Sequence, residues 1–421
     1  MYRKVLSRGL LILVVCVCVT GNRISEAAGI MVANTAVAQD GSVRFDIAWT
    51  DSWRASWKES DTQWANWDAA WIFVKYRKED DPGWAHAGLS TKGADHSAPE
   101  GAKIKVGLTG EKGVGVFLYR SAEGKGTWTN KGVKLKWLHK DDGVEDPTKV
   151  DIFVHALEMV YVPEGSFKVG GAGRLAGPFT DGSWKKGGDV IPFKVTSEEE
   201  LKIANEPGCL FGTGGVGAAH QIGPPGKLSA KFPKGYGPFY CQKYEMTQGE
   251  YVAFLNQLTE TQAAARYPRP GMLPRFADDP AHTINKLDTG YTATKPELSC
   301  NWVSWDHVAA YGDWSGLRPM TELEYEKACR NLRIRWELSA RKGASRRAPR
   351  TGASRQCVAT CGNAPSRLGW STDEFSRAYA ATARWATTVS RTWRTGPLEQ
   401  NPGPHRKRLA RRPPNILKDT R

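Results

Sequence analysis

Short runs that alternate apolar and polar residues fill the chain between residues 30 and 156. The run SVRFDIAW places Val43, Phe45, Ile47 and Trp49 on one side of an extended chain. Similar runs are AWIFVKY, AKIKVGL, VGVFLYR, GVKLKWL and KVDIFVHA, with Gly, Pro, Asp and Asn between them. This alternation, broken by turn residues, predicts an all-β, sandwich-like module over residues 30–156.

A mixed α and β pattern follows over residues 157–330. In YEMTQGEYVAFLNQLT, Thr247 and Glu250 have the spacing of a capping box at a helix start. Apolar residues follow at helical spacing, namely Tyr251, Phe254, Leu255 and Leu258. The fold class predicted for the whole chain is therefore α+β.

Three further helix starts are predicted in the same segment. SWDHVAAYGDW begins with Ser304 as its cap, and TELEYEKACR begins with the box formed by Thr321 and Glu324. In PFKVTSEEELKIAN, a strand precedes Thr196 or Ser197, either of which could cap a helix that has three acids in its first turn.

The charge of the chain is concentrated at its C-terminal end. From Arg330 to Arg421 there are 18 Arg and 3 Lys against 5 Asp and Glu, a net charge of +16, whereas the preceding residues carry 38 basic and 39 acidic side chains. No amphipathic period persists there, and Arg, Ala, Pro, Gly and Ser dominate. Such a composition buries too little apolar surface to offset chain entropy, so we expect residues 331–421 to form a disordered tail.

The N-terminus has the form of a secretory signal. Arg3, Lys4 and Arg8 precede an apolar run, and small residues follow, so residues 1–28 are predicted to be a signal peptide cleaved near Ala27 or Ala28. The run is too short to span a bilayer. A lipoprotein signal is an alternative, although valine precedes both Cys16 and Cys18. We expect a secreted or periplasmic protein with no transmembrane segment after removal of the signal.

Six cysteines remain after the leader, and their spacing fits no zinc pattern. They are Cys209, Cys241, Cys300, Cys329, Cys357 and Cys361. In an oxidising compartment they could form disulfides, whose connectivity the sequence leaves open. For Cys241, Cys300 and Cys329 we expect structural roles. The H-E-x-x-H, P-loop and G-x-S-x-G motifs are absent from the sequence, so it supplies no candidate catalytic, cofactor-binding or metal-binding residue.

Tryptophan is concentrated in the β-rich segment, which holds nine of the 17 in the chain. Five of them lie in TDSWRASWKESDTQWANWDAAW. If exposed, such rings could stack on sugars or on a partner surface. The ordinary alternative, which we favour, is that they fill a core or an interface.

Three blocks of the middle segment carry a family pattern, and they are MVYVPEGSFKVGG, PFYCQKYEMTQGEYVAFLNQL and CNWVSWDHVAAYGDWSGLRPMTELEYEKACR. They resemble the sulfatase-modifying factor family, the formylglycine-generating enzymes and their relatives. The resemblance covers about residues 157–330, with an insertion between the first two blocks. The preceding β-rich segment is similar to an extra module that some secreted bacterial relatives carry.

The resemblance implies a C-type-lectin-like fold and an oxidoreductase activity. Active members of the family use two late cysteines to bind copper(I), and they oxidise a sulfatase cysteine to formylglycine with oxygen. Calcium sites also belong to the later half of the family domain. The partner that the resemblance implies is a sulfatase or another exported protein.

The sequence departs from the family after Arg330. A GNVWEW-like block and the copper-binding cysteine pair are not found in residues 331–421, and the spacing of Cys357 and Cys361 differs from the family pair by one residue. One hypothesis is that the reading frame, or the assembled gene, changes just after EKACR. The alternative is a basic arm that binds nucleic acid, a partner we do not expect for an exported protein.

Two functions follow from these observations. The first is an exported formylglycine-generating-enzyme-like protein, inactive as written because the catalytic half of its domain is missing, so that the ligands for copper and calcium are not present. The second is an extracellular protein that binds carbohydrate or a surface through a lectin-like fold.

Overall fold

The computed structural model describes eight parts of the chain, which are residues 25–27, 29–59, 61–170, 179–183, 191–212, 225–269, 280–330 and 360–362. Most of the predicted signal peptide and most of the predicted tail lie outside these residues. Within the described residues, no helix has the length and apolar character needed to cross a membrane.

The first half of the chain forms strands where the alternating pattern predicts them. Four of the six quoted runs lie within strands, and the other two, GVKLKWL and KVDIFVHA, lie mostly within them, which confirms that part of the prediction. The elements are β1 (Ser25–Ala27), β2 (Ile30–Val37), β3 (Ser42–Glu59), β4 (Thr62–Arg77), β5 (Ala85–His86), β6 (Ala102–Thr109), β7 (Lys112–Arg120), β8 (Gly124–Lys136) and β9 (Asp151–Val162), with 3₁₀ turns at Gly93–Asp95 and Pro147–Lys149.

The second half combines four helices with short strands, so the described chain is α+β. The helices are α1 (Gln248–Leu255), α2 (Glu260–Arg266), α3 (Trp305–Ser315) and α4 (Glu322–Arg330). The strands are β10 (Phe167–Val169), β11 (Phe179–Thr180), β12 (Phe193–Val195), β13 (Leu201–Ile203), β14 (Phe211–Gly212), β15 (Gly226–Leu228), β16 (Phe239–Gln242), β17 (Ile284–Leu287), β18 (Gly290–Ala293), β19 (Arg318–Pro319) and β20 (Thr360–Gly362).

The predicted helix caps are formed in three places. The Glu250 amide donates to Thr247 Oγ1 at 3.2 Å, and the Thr247 amide donates to Glu250 Oε2 at 2.8 Å. The same pair of bonds joins Thr321 and Glu324, at 3.2 and 2.9 Å. Ser304 Oγ accepts from the amide of the third residue of α3 at 3.3 Å. Each cap satisfies amide groups that the first helical turn leaves without a partner.

The helix predicted after Thr196 or Ser197 is wrong. The segment instead forms β13, which pairs antiparallel with β15. The carboxylate of Glu198 accepts from the amides of Lys234 and Gly237, at 2.7 and 2.9 Å. These bonds attach the acidic stretch to a distant loop, and a tertiary contact thereby overrides the local helix signal.

One sheet of 12 strands runs through both halves of the chain. Its main path is β1-β2-β3-β4-β9-β16-β20-β19, to which β5, β6, β7 and β8 are added. Strand β9 pairs with β4 on one side and with β16 on the other. The boundary predicted between residues 156 and 157 therefore falls inside β9.

Strand β4 supplies side chains to two different cores. Ala70, Ile72 and Val74 lie in a core shared with β2, β3, β7, β8 and β9. Their neighbours Trp71 and Phe73 point to the opposite face. A strand buried on both faces has a continuous apolar sequence, which accounts for the run AWIFV.

The second core joins this sheet to the helices of the second half. Trp71, Phe73 and Phe117 from the sheet pack with residues of α1 and α3, including Phe254 and Trp314. A third, smaller core around Val169 and Val195 lies among the short strands and includes Leu323 from α4. The helices are thus packed on a face that the N-terminal strands supply.

Trp71 is at the centre of the contact between sheet and helices. Its Nε1 donates to the backbone oxygen of Ser315 at 2.8 Å, at the end of α3. A Cβ atom built on Gly107 or on Gly115 would lie 2.4–2.5 Å from its ring. The two glycines therefore leave the space that the indole fills on the sheet surface.

Candidate functional site

The structure describes the side chains of four cysteines, and no disulfide joins any two of them. Cys241 and Cys300 are buried, Cys209 is half-buried and Cys329 is exposed. Cysteine is the residue through which the family chemistry implied by the sequence would act. The environment of each thiol therefore decides whether the described part of the chain has a reactive site.

The two buried thiols are held in their protonated form. Cys241 lies in the middle of β16 and packs in a small cluster with Val162, Phe239 and Ala328. Burial raises the pKa of the Cys241 thiol to about 12, and the nearby Glu324 carboxylate adds to the effect. Burial, with a contribution from Glu250, also raises the pKa of Cys300.

These thiols do not fit a copper(I) site. Soft metal ions bind the thiolate form, which is scarce at neutral pH when burial raises the pKa of the thiol. In the described part of the chain, no group of three or more His, Cys, Asp and Glu side chains could hold a metal ion. Cys357 lies outside the described residues, and Cys361 is described only as part of β20.

A buried ion cluster joins the two halves of the chain beside β16. Lys243 directly follows that strand, and its Nζ lies 3.1 Å from Asp68 Oδ2 and 2.5 Å from Glu158 Oε1. All three side chains are at most 8% exposed. Burial alone would lower the pKa of Lys243, but the carboxylates of Glu158 and Asp68 outweigh it and raise that pKa. The lysine is therefore charged in the folded protein.

Asp68 is also bonded to the N-terminal strands. Its Oδ1 accepts from the Trp53 amide at 2.9 Å and from Ser52 Oγ at 3.1 Å. Burial is the largest influence on this carboxyl group and raises its pKa despite these bonds. The cluster thus links β3, β4, β9 and the residue after β16, and the Lys243 amine lies between its two carboxylates.

A second buried amine lies on β4, between the sheet and α3. Lys75 is 4% exposed, and its Nζ lies 5.7 Å from the centre of the Trp314 ring. Among the described residues no carboxylate pairs with it within 4.0 Å, although Asp313 acts from farther away. Burial lowers the pKa of Lys75 to about 7, against an opposing effect of Asp313.

Two neutral histidines lie near Lys75. Burial, followed by the positive charge of Lys75, lowers the pKa of His86 to about 4, and burial lowers that of His155 to about 3. His86 Nε2 is 2.6 Å from the backbone oxygen of Val114. The His155 ring packs 4.7 Å from Trp314, measured between ring centres. The group is a structural junction of aromatic and basic side chains rather than a set of converging ligands.

The tryptophans of the β-rich segment are covered by the fold. Trp49, Trp53, Trp71 and Trp137 are buried. The other five are half-buried and are Trp57, Trp64, Trp67, Trp84 and Trp128. None of the nine side chains, all of which the structure describes, is exposed. Trp49, Trp71 and Trp137 are part of the two large cores, and Trp67 and Trp128 pack against them, which agrees with the ordinary alternative raised by the sequence.

A family model matches residues 212–387 of the chain, and its description is sulfatase-modifying factor enzyme 1-like domain. The chain carries a sulfatase-modifying factor domain. This confirms the family that the sequence blocks predict. No curated protein and no solved structure matches the chain in the corresponding comparisons.

The matched range differs from the predicted one at both ends. The sequence blocks predict a domain over about residues 157–330, whereas the match begins at residue 212 and ends at residue 387. The block MVYVPEGSFKVGG therefore precedes the sulfatase-modifying factor domain as matched. Part of the Arg-rich segment, with Cys357 and Cys361, falls inside it.

The sequence analysis did not single out the two buried lysines. Lys75 sits in the apolar run AWIFVKY, and a charged residue at an inward position of such a run is a usable signal. Lys243 follows FYCQ at the end of a short strand, where a lysine is ordinarily exposed. Only the pairing of β9 with both β4 and β16 brings Lys243 to its carboxylates.

Proposed function

We propose that this chain is an exported formylglycine-generating-enzyme-like protein that does not itself oxidise sulfatase cysteines. The family match supports the first part of the proposal. The observation that carries the second part is the burial of Cys241 and Cys300, whose thiols are held protonated inside cores. Neither is suited to bind copper(I) or to attack a peptide.

The sequence after Arg330 supports the proposed lack of oxidase activity. The family resemblance implies a GNVWEW-like block and a copper-binding cysteine pair there, and this sequence has instead an Arg-rich segment with Cys357 and Cys361. We attribute the difference to a change of reading frame or of gene assembly after EKACR. The family match continues to residue 387, so it includes part of the sequence after Arg330. Resequencing the locus and translating the other two frames tests this attribution directly.

We expect the purified 421-residue protein to leave a cysteine-containing sulfatase peptide unchanged. The assay supplies copper(I) and oxygen, and mass spectrometry measures conversion of cysteine to formylglycine. An active family member serves as the positive control, and the matched variant replaces both Cys357 and Cys361 with serine. Conversion by the protein that is lost in this double variant would contradict the proposal and assign the tail cysteines to copper.

Binding of carbohydrate or of a surface stays a prediction of the sequence alone. Stacking on sugar rings requires exposed aromatic faces, whereas four of the nine tryptophans in residues 30–156 are buried and five are half-buried. No observation on the described residues favours this function over the first.

A further inference from the structure

A row of aromatic residues with an arginine at its end crosses the shared sheet on the face that carries the helices. Arg54 on β3 is the Cα partner of Trp67 on β4, and Tyr161 on β9 is the Cα partner of Tyr240 on β16. The rings of Trp67 and Tyr161 are stacked, with their centres 4.0 Å apart. Tyr119 of β7 stacks beside Trp67, with ring centres 5.4 Å apart. We call these five residues the aromatic row.

The guanidinium of Arg54 is held in place, but its charge is not neutralised by the fold. Its Cζ lies 4.3 Å from the centre of the Trp67 ring, in the geometry of a cation–π contact. Its Nη1 donates to the backbone oxygen of Arg120 at 3.2 Å, which uses one of its five N–H groups. No described residue places a carboxylate within 4.0 Å of it. A half-buried guanidinium fixed on an aromatic face is preorganised to bind an oxyanion.

The three tyrosines of the row add hydroxyl groups whose donor capacity is unused among the described residues. Tyr240 is 1% exposed, and its hydroxyl accepts from Trp67 Nε1 at 3.2 Å but donates to no described acceptor. Tyr119 and Tyr161 are half-buried, and their hydroxyls make no hydrogen bond to the described chain. Burial raises the pKa of all three phenols, and Tyr119 also acts on the other two. They are therefore neighbouring, protonated donors, and a buried hydroxyl with an unused donor favours an added acceptor.

We propose that the aromatic row binds the carboxylate or sulfate group of a small molecule. The Arg54 guanidinium supplies the positive charge, and the tyrosine hydroxyls supply further donors to the oxygens of the ligand. The stacked rings limit the access of water to these bonds, which strengthens them. The exposed carboxylate of Glu164 acts on Tyr161 and opposes the binding of an anion, so its removal gives an independent test of the sign of the ligand charge.

This site is separate from the chemistry considered under the proposed function. It contains no cysteine, and all five residues of the row precede the Arg-rich segment. The inference therefore does not rest on the lack of oxidase activity or on the origin of the sequence after Arg330. A protein that oxidised a sulfatase peptide would contradict the proposed function and leave this inference unchanged.

Saturation-transfer NMR on the full chain at neutral pH tests the site with three small probes. Benzoate carries a carboxylate, phenyl sulfate carries a sulfate, and benzamide is a neutral molecule with the shape of benzoate. We expect saturation transfer to at least one of the two anions and little to benzamide. Arg54→Gln should weaken the affinity for the bound anion at least about tenfold, because it removes the charged donor. Tyr119→Phe and Tyr161→Phe keep the rings and should each weaken it about two- to tenfold.

Two further variants control for charge at the surface. Arg44→Gln removes an exposed arginine from the same strand, β3, and should leave the affinity unchanged. Glu164→Gln should strengthen binding about two- to fivefold, because it removes a nearby negative charge.

Binding of only one of the two anions supports the site and identifies the group that it takes. Three results would overturn the proposal, namely equal binding of benzamide, an affinity that Arg54→Gln leaves unchanged, and the absence of saturation transfer to both anions. If Arg54→Gln fails to fold, as judged by circular dichroism, the two phenylalanine variants decide the question, since an unchanged affinity in both would exclude the row as the site.

Discussion

Replacement of Lys243 with alanine is expected to lower the free energy of unfolding by about 3–5 kcal/mol. The substitution leaves Asp68 and Glu158 buried beside each other without the amine that lies 3.1 and 2.5 Å from them. Two carboxylates that are at most 4% exposed cannot recover this loss through water. Urea unfolding followed by tryptophan fluorescence measures the change.

Two further variants identify the cause of that loss. Lys227→Ala removes an exposed lysine whose Nζ lies 2.7 Å from Glu200 Oε1, and it is expected to cost at most about 1 kcal/mol. A triple variant with Asp68→Asn, Glu158→Gln and Lys243→Met keeps the volume and removes all three charges. It should recover most of the stability. Equal losses in Lys243→Ala and Lys227→Ala would contradict the role given to the buried cluster.

Replacement of Lys75 with methionine is expected to stabilise the protein by about 1–4 kcal/mol at pH 6–7. The folded chain holds the amine with a pKa of about 7, whereas its ordinary value is 10.5. Between these two pH values the unfolded chain binds more protons than the folded chain. The stability of the wild type therefore rises with pH in this window, by up to about 5 kcal/mol from this group.

The pH dependence distinguishes this effect from a general gain in packing. The stability difference between Lys75→Met and wild type should be largest below pH 7 and should shrink toward pH 10.5. Lys103→Met is the matched control, because Lys103 is an exposed lysine on strand β6, and it should leave the pH dependence unchanged. A stability gain from Lys75→Met that is constant from pH 6 to pH 10 would contradict this account, because it would show that burial does not destabilise the charged amine.

Local features of the fold could be predicted from the sequence because short-range patterns determine them. The run SVRFDIAW forms part of β3 because its apolar residues alternate, and α1 begins where Thr247 and Glu250 form a capping box. The segment after Ser197 is the instructive exception. Its helix signal is equally local, but bonds from Glu198 to residues 234 and 237 replace the helix with a turn and a short strand.

The junction of the two halves could not be predicted from the same patterns. The sequence patterns predict two separate units over residues 30–156 and 157–330. Nothing in the alternation of apolar residues along β9 shows that this strand pairs with both β4 and β16. The buried position of Lys243 follows from that pairing, and that of Lys75 follows from the packing of α3 on the sheet. The family could be predicted, because blocks such as GLRPMTELEYEKACR carry it in the sequence itself.

Native-state hydrogen exchange of the Trp71→Ala variant tests most directly whether the N-terminal strands and the sulfatase-modifying factor domain fold as one unit. Trp71 lies in the core shared by the sheet and the helices and donates to Ser315 at 2.8 Å. Its loss is expected to cost about 3–5 kcal/mol. The shared sheet predicts that the slowest amides of β4, β16, α1 and α3 lose protection by the same amount. Loss confined to β4 and its N-terminal neighbours, with full protection kept in α1 and α3, would contradict it.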